Sequence, residues 1–377
     1  MSFEDPTLVP EQLQEVAGLA AEVGLVLKAS IRVTSIPAKV RERLGEWLSQ
    51  GRAGEMGYLE DRVDDLVDPG HWKPWAKSML IFAAPYRRPA GGFSGGGKIA
   101  SYALGQDYHN VLGRRLERLG KRLRLNGLAD RYRGLSDAGP VLEREWALSS
   151  GLGFRGKNTL VLDPHGGSWQ FLAELLVDVK LAEWKSNPTK TSCGSCTSCL
   201  DACPTNAFDE PWLLDPRKCI SYLTIETRGS IPMELRKAMG EWVFGCDICQ
   251  EVCPFGDAND DFSKEWGTLP VLLEWSLEDL LACSQPEFDR AFAGSPMRRP
   301  GWAAILRNAC IALGNLGRGE KALSTALLHH GEPVVRAHAA WALGQLGETS
   351  ALLQAQIAEN DPSVREEIST ALGSILS

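Results

Sequence analysis

The chain has 377 residues, 44% of them hydrophobic and 23% charged, and a formal net charge of −8. That length exceeds what one hydrophobic core usually supports, so two or three domains are expected of an ordinary globular protein. The acidic balance argues against a generic nucleic-acid binder, no apolar run approaches the ~18 residues of a membrane span, and the acidic start (Met-Ser-Phe-Glu-Asp-Pro) lacks the basic and apolar regions of a signal peptide.

Glu11 to Leu27 places Leu13, Val16, Ala17, Leu19, Ala20 and Val23 at helical spacing, with Pro10 suited to the first turn. A second helix is predicted over 38–50, followed by a loop through Tyr58. Met79 to Ala84 is a continuous apolar run ending at Pro85, the pattern of a buried strand. The segment 90–97 (AGGFSGGG) reads as a flexible loop; Ile99 stands where a phosphate-cradling loop needs Ser or Thr. Residues 114–133 hold eight Lys or Arg against Glu117 and Asp130. Such a run is either the wet face of a helix or a local phosphate-contacting stripe. A turn over 133–140 then delivers Asp137 ahead of a helix beginning near Val141, where initiating the turn and capping that helix is the bland role. Strands near 159–162 and 171–179 complete an alternation of helices and short apolar strands. This suggests an α/β domain through about residue 185.

The next segment carries the chemistry. Cys193, Cys196, Cys199 and Cys203-Pro204 follow the C-x2-C-x2-C-x3-C-P spacing of bacterial ferredoxins. Cys246, Cys249 and Cys253-Pro254 repeat its ending, and Cys219 can fill the displaced first place. With the fourth cysteine of each run crossing to the other cluster, one [4Fe–4S] cluster takes Cys193, Cys196, Cys199 and Cys253, and the other takes Cys219, Cys246, Cys249 and Cys203. Zinc has no use for the Cys-Pro endings, and a disulfide framework does not suit a long chain without a secretion signal. Cys283 and Cys310 sit in helical contexts as core thiols. Oxygen-sensitive clusters and reduced thiols fit the cytoplasm.

The last seventy-odd residues change character. Arg307, Arg336 and Arg365 recur at intervals of 29, beside recurring Ala-Leu-Gly triplets at 312, 342 and 371. This is a short HEAT-like solenoid, whose one-sided helices are stable only when stacked.

Clusters only pass single electrons, so another centre must act on the substrate. No G-x-G-x-x-G follows a strand, and the D-x-H-x-x-G signature that supplies a histidine to cobalt is absent: Asp163-Pro-His165 and Asp107-Tyr108-His109 both lack its glycine. From the residues alone the reactive centre stays unidentified.

Resemblance extends the reading. Tyr102-Ala-Leu-Gly-Gln-Asp107-Tyr108-His109, Ser136-Asp137-Ala-Gly-Pro140, Gly156-Lys-Asn-Thr159, Gly167-Ser-Trp169 and Cys219-Ile-Ser-Tyr-Leu-Thr-Ile-Glu226, in this order with the cysteine array and terminal repeats, strongly resemble the epoxyqueuosine reductases. The one departure is Phe154-Arg155, where that family often has Trp and an aliphatic residue. The resemblance implies a cobalamin-dependent relative of reductive dehalogenases that reduces epoxyqueuosine at the tRNA wobble position to queuosine. Cobalamin would be bound base-off and fed by the two clusters. An α+β multidomain chain is implied: an α/β cobalamin-binding domain (1–185), a ferredoxin-like two-cluster domain (186–260), a connecting helical segment (261–300) and HEAT-like repeats (301–377).

By the same resemblance Asp137 is the proton donor, which at neutral pH needs desolvation to raise its pKa. Tyr58, Ser101, Lys157, Asn158, Ser221, Asp247 and Ile248 would face the corrin, with Asp137. Asp107, Tyr108, His109 and Thr224 would line the substrate pocket. Arg298, Arg299, Arg307 and Asn308, with Arg336, would hold the anticodon stem-loop. An electron donor is implied, and a monomer. Two other readings use similar parts: a dehalogenase acting on a small substrate, which typically needs an export signal, and a non-catalytic electron-transfer protein, which leaves the N-terminal domain without a purpose.

Overall fold

The computed structural model describes residues 10–164, 167–185, 190–256 and 263–376. His165 lies outside the described residues. The N-terminal region contains helix α1 (Glu11–Glu22), strand β1 (Leu27–Arg32), α2 (Ala38–Ser49), β2 (Ser78–Pro85), α3 (Tyr108–Leu125), β3 (Tyr132–Leu135), α4 (Glu143–Ser149) and β4 (Gln170–Val177). The first predicted helix is cut short at Gly24, whose φ of 79° suits glycine; Leu27 already belongs to β1.

The four strands form one sheet in the order β1-β2-β4-β3, with every neighbour antiparallel. The expected α/β alternation is therefore corrected to an α+β arrangement. Its strands looked like buried parallel strands because both faces of this sheet are covered. Phe171, Ala173, Leu175 and Val177 of β4 pack with Leu13 and Val16 of α1 and Leu112, Leu116 and Leu119 of α3. Leu172 and Leu176 turn to the opposite layer, against Met79, Ile81, Val141 and Trp146. Helix α3 lies close on β3 where Gly134 leaves room: a Cβ there would stand 2.7 Å from Leu116 Cβ.

The basic run on α3 takes the solvated reading over most of its length. Arg122 pairs with Glu22, Lys121 with Glu117, and Arg115 donates to Gly24 O. The 90–97 segment is not the flexible loop expected. Gly91–Gly92 pairs antiparallel with Lys98–Ile99, which in turn takes Trp242–Phe244 as a parallel neighbour. The hairpin closes through glycine because a Cβ at Gly92 would meet Gly97 O at 1.9 Å. The predicted strand near 159 is reduced to Val161–Leu162, paired with Phe154–Arg155.

The C-terminal region stacks α5 (Trp302–Leu316), α6 (Glu320–His329), α7 (Pro333–Leu346), α8 (Ser350–Ala358) and α9 (Pro362–Leu376). The recurring Ala-Leu-Gly triplets are the points where alternate helices touch. A Cβ on Gly314 would lie 3.0 Å from Ala342 Cα, and one on Gly344 2.9 Å from Ala371 Cβ. One apolar cluster runs from Ile99, Ile220 and Phe244 into Ile305, Leu313 and Leu343, and it includes the buried thiols Cys283 and Cys310. No described helix is long and apolar enough to cross a membrane.

This shared core corrects three of the expected substrate contacts. Arg307, Asn308 and Thr224 are fully buried. Arg307 donates to the carbonyls of Thr227 (2.8 Å), Gly229 (2.7 Å) and Leu223 (3.0 Å), while Asn308 Nδ2 donates to Thr224 O and Val243 O, both at 2.9 Å. Thr224 Oγ1 donates to Ile220 O and accepts from Gly245 N–H. Every one of these polar groups serves a backbone that would otherwise be buried without partners, so none is presented to RNA. Arg336 is likewise engaged, with Glu359 at 2.7 Å. Replacing Arg307 with Ala strands three buried carbonyls and is expected to cost about 3 kcal/mol or more of stability, measured by denaturant unfolding of the loaded protein. A change below about 0.5 kcal/mol, within the usual range for surface substitutions, would remove its bracing role.

Candidate active site and cluster loops

The eight cysteines of the central segment come together in two groups. Cys193, Cys196, Cys199 and Cys253 line one cavity with Lys157, Asn158, Pro254 and Phe255. Burial raises the Cys199 thiol, and its neighbours Cys193, Cys253 and Cys196 raise it further, to about 11. In the second group burial raises Cys246, helped by Cys219 and Cys203, and Cys249 responds to Cys219 and Cys246. All ten cysteines of the chain are free thiols. Among the described residues no three ligand groups converge closely enough for a single metal ion, whereas a cubane needs four thiolates spread around it.

Two adjacent residues hold the loops that carry these thiols. Lys157 donates from Nζ to Gly194 O and Cys196 O, both at 2.8 Å, and from its backbone N–H to Cys193 Sγ at 3.4 Å. Asn158 Nδ2 donates to Cys249 O at 3.2 Å on the other loop. Both side chains are buried. The expectation that they face a corrin is corrected: their donors are spent on cluster-loop carbonyls.

Asp137 lies just beyond β3, at a φ of 52°, a left-handed conformation that a non-glycine residue adopts only when its surroundings hold it there. Ser136 Oγ donates to Leu172 O at 2.9 Å, and the Asp137 amide donates to Glu143 Oε1. The aspartate does not cap α4, whose first turn has no side-chain cap. Its carboxylate remains 57% exposed. Tyr108 OH donates to Oδ2 at 2.6 Å, His109 Nε2 lies 3.7 Å from that oxygen and Arg299 Nη1 3.9 Å. Asp107 caps α3, accepting from the His109 amide (3.0 Å) and from its ring Nδ1 (2.7 Å). Tyr108 is stacked on Phe171 with ring centroids 4.2 Å apart, so the sheet fixes its hydroxyl.

Burial pushes the Asp137 carboxyl up, but the hydrogen bonds from His109 and Tyr108 and the Arg299 guanidinium outweigh it and hold its pKa below the usual range. The raised pKa expected of this residue is thus reversed. Burial also opposes charge on His109, yet Asp107 and Asp137 lift its pKa to about 9. Arg299 Nη2 stands 2.8 Å from His109 Nε2. A guanidinium has only donors, so that contact needs an unprotonated Nε2. Protonating His109 therefore exchanges the Arg299 contact for one with Asp137.

Around the same space, Tyr58 responds to burial and then to Glu226, Asp137, Arg299 and Tyr222. Tyr102 is raised by burial and senses Arg299, Asp137, Asp247 and Glu226. Asp247 Oδ2 accepts the Ser101 amide at 2.6 Å. Ser221 lies on the helix Ile220–Ile225 and Ile248 begins the helix Ile248–Glu251, both half-buried beside the cluster cysteines. Arg298 pairs with Asp289 at 3.1 Å on the rim. A cavity of about 400 Å³ opens there between Asp107, Arg298, Arg299 and Trp302.

Sequence reasoning missed Glu143 and Glu174. The available signal was Glu174 itself, the one charged residue in the eight-residue apolar strand β4. It also underrated Arg299, which reaches the reactive carboxylate instead of serving only the rim.

The comparisons with known proteins agree with this architecture. Residues 192–256 match a 4Fe-4S double cluster binding domain, 302–373 match HEAT repeats, and 67–138 match the family described as Epoxyqueuosine reductase QueG, DUF1730. The chain is 38% identical to an epoxyqueuosine reductase of Xanthomonas campestris, over 81% of this chain and 88% of the relative, and 36% identical to that of Escherichia coli K12, over 86% and 87%. A crystal structure of an epoxyqueuosine reductase with an epoxyqueuosine-modified tRNA-Tyr stem loop superposes with a TM-score of 0.87 at 30% identity, covering 97% of this chain and 98% of that one. The Bacillus subtilis epoxyqueuosine reductase, in a structure with its catalytic aspartate loop swung out of the active site, superposes at 0.86 with 30% identity, covering 96% and 98%. A paired-cluster segment, a helical-repeat end and matching chain-length relatives together show that this chain belongs to the epoxyqueuosine reductase family.

Proposed function

We propose that the chain reduces the epoxide of epoxyqueuosine at the tRNA wobble position, giving queuosine, with Asp137 as the proton donor. The observation that carries this is the exposed Asp137 carboxylate, held by Tyr108, His109 and Arg299 beside two groups of four thiols. Removing an epoxide oxygen as water takes two electrons and two protons. The clusters deliver the electrons singly; in this reading Cys193, Cys196, Cys199 and Cys253 hold one, and Cys203, Cys219, Cys246 and Cys249 the other. The first lies under an exposed loop that includes Gly194, Ser195 and Thr197, where an electron donor has access.

Because Asp137 is held ionised, its proton must come from a neighbour. His109, with a pKa of about 9, carries one at neutral pH. Turning Nε2–H from Arg299's side toward Oδ2 would hand that proton to Asp137, leaving Tyr108 to hold the carboxylate in place.

The space shared by Tyr58, Tyr102, Glu226, Asp247 and Arg299 fits a cobalamin bound base-off, because His109 is already taken by Asp107 and Arg299. Tyr58, Ser101, Ser221, Asp247 and Ile248 would hold it, in a unit spanning 1–185 and the neighbouring two-cluster unit. When bound it supplies a cobalt centre that collects single electrons and attacks the epoxide as a nucleophile. Arg298 and Arg299, beside the cavity at Trp302, would hold the anticodon stem-loop with the wobble base turned out of its stack.

Three outcomes test this reading. Anaerobically loaded Asp137→Asn is expected to keep about eight irons and its corrinoid but lose ~10²-fold or more of turnover on a modified stem-loop; near-normal turnover removes the donor role. Lys157→Met frees the Cys193–Cys199 loop, so iron analysis should fall toward about four per chain, and full iron retention would contradict the brace. Arg298→Glu should weaken stem-loop binding and reduce the slope of log affinity against log salt by ~0.9, a loss that an unaltered titration would disprove.

A further inference from the structure

Behind the Asp137 turn lies a pair of carboxyl groups that the reaction above does not use. Glu174 sits in the middle of β4 with cross-strand neighbours Ile81 and Leu135, and it is fully buried. Neither of its oxygens meets an N–H or O–H donor among the described residues. What it does meet is the carboxyl of Glu143, from the start of α4. The charged groups facing the pair are Asp137 and Arg144, and Arg144 is exposed and turned to Thr159 (3.4 and 3.5 Å). No cation enters the layer to balance Glu174, and two carboxylates in contact there cannot both be ionised. Burial, then Asp137, lifts Glu143 to about 8, and burial with Glu143 lifts Glu174 well above the usual range.

We propose that Glu143 and Glu174 share one proton and act as positioning residues, a latch whose Glu143 carboxylate holds the Asp137 amide and whose deprotonation releases the Asp137 turn. With one proton, Glu174 O–H donates to Glu143, and the remaining negative charge accepts the Asp137 N–H. Once that proton is lost, two buried charges share a single N–H donor. Glu143 is half-buried at a helix start and can swing to water; Glu174, anchored in the sheet, cannot. Asp137 then keeps its left-handed φ of 52° without the amide bond that fixed it. The sign follows from the raised pKa values: the latch is closed at low pH and opens as pH rises through about 8.

The consequence for catalysis rests on Asp137 being the donor, but the latch itself can be read without turnover. Hydrogen exchange of the 135–141 segment, corrected for intrinsic rates, is measured on the loaded protein from pH 6 to pH 9.5, beside turnover on a modified stem-loop. In the wild type, protection should fall about tenfold as pH passes through about 8. Glu174→Gln, whose amide donates to Glu143 at any pH, should keep that protection to pH 9.5 and extend turnover to higher pH. Glu143→Ala should leave the segment unprotected throughout. His109 also titrates, near 9, and its effect on turnover is untouched by Glu174→Gln, so the exchange data separate the two. Wild-type protection that stays flat to pH 9.5, or a Glu174→Gln profile matching the wild type, overturns the latch. Retained turnover in Asp137→Asn would instead overturn the donor role while leaving the exchange result standing.

Discussion

Two cysteine loops, far apart in the chain, have to be held face to face, and neither has the apolar side chains to do it alone. The neighbouring residues Lys157 and Asn158 supply the connection, one bonding Gly194 and Cys196 and the other Cys249. Loop carbonyls that would otherwise need water receive buried donors, so the thiols are placed before any cluster forms. Because both residues sit in the turn leading to Val161–Leu162, packed on the sheet layer through α4, the redox segment is referenced to the same scaffold as Asp137.

The helical repeats contribute a second reference. Arg307 and Asn308 reach into the cluster segment and bond five of its carbonyls. The repeats are therefore continuous with the cluster segment, sharing its core instead of hanging from it as a separate binding arm. That continuity brings Arg299, just ahead of α5, to within 4 Å of Asp137. A nucleic acid lying on the rim would meet the same residue that tunes the reactive carboxylate.

The electrostatics of that carboxylate come from opposed demands. Proton donation favours a raised pKa, yet binding a polar nucleotide favours a site rich in donors, and here Tyr108, His109 and Arg299 keep Asp137 ionised. The proton resides one step away on His109. Behind the turn, a carboxyl pair without a cation carries the protonated acid that Asp137 itself does not.

Sequence by itself determined the elements whose meaning lies in local spacing. The cysteine runs, the 29-residue recurrence and the buried strand at 79–84 were legible because cluster ligation, helix stacking and strand burial each impose a short-range period. Tertiary structure alone decided the rest. Strand direction was invisible because two-sided burial erases the alternation that marks an antiparallel sheet. Arg307, Asn308 and Thr224 read as RNA contacts because a polar residue looks the same in sequence whether it meets solvent or a buried carbonyl. Asp137's ionisation and the Glu143–Glu174 pair depend on groups from β4, α3, α4 and the approach to α5 meeting at one point, and a pKa is set by that meeting rather than by chain order.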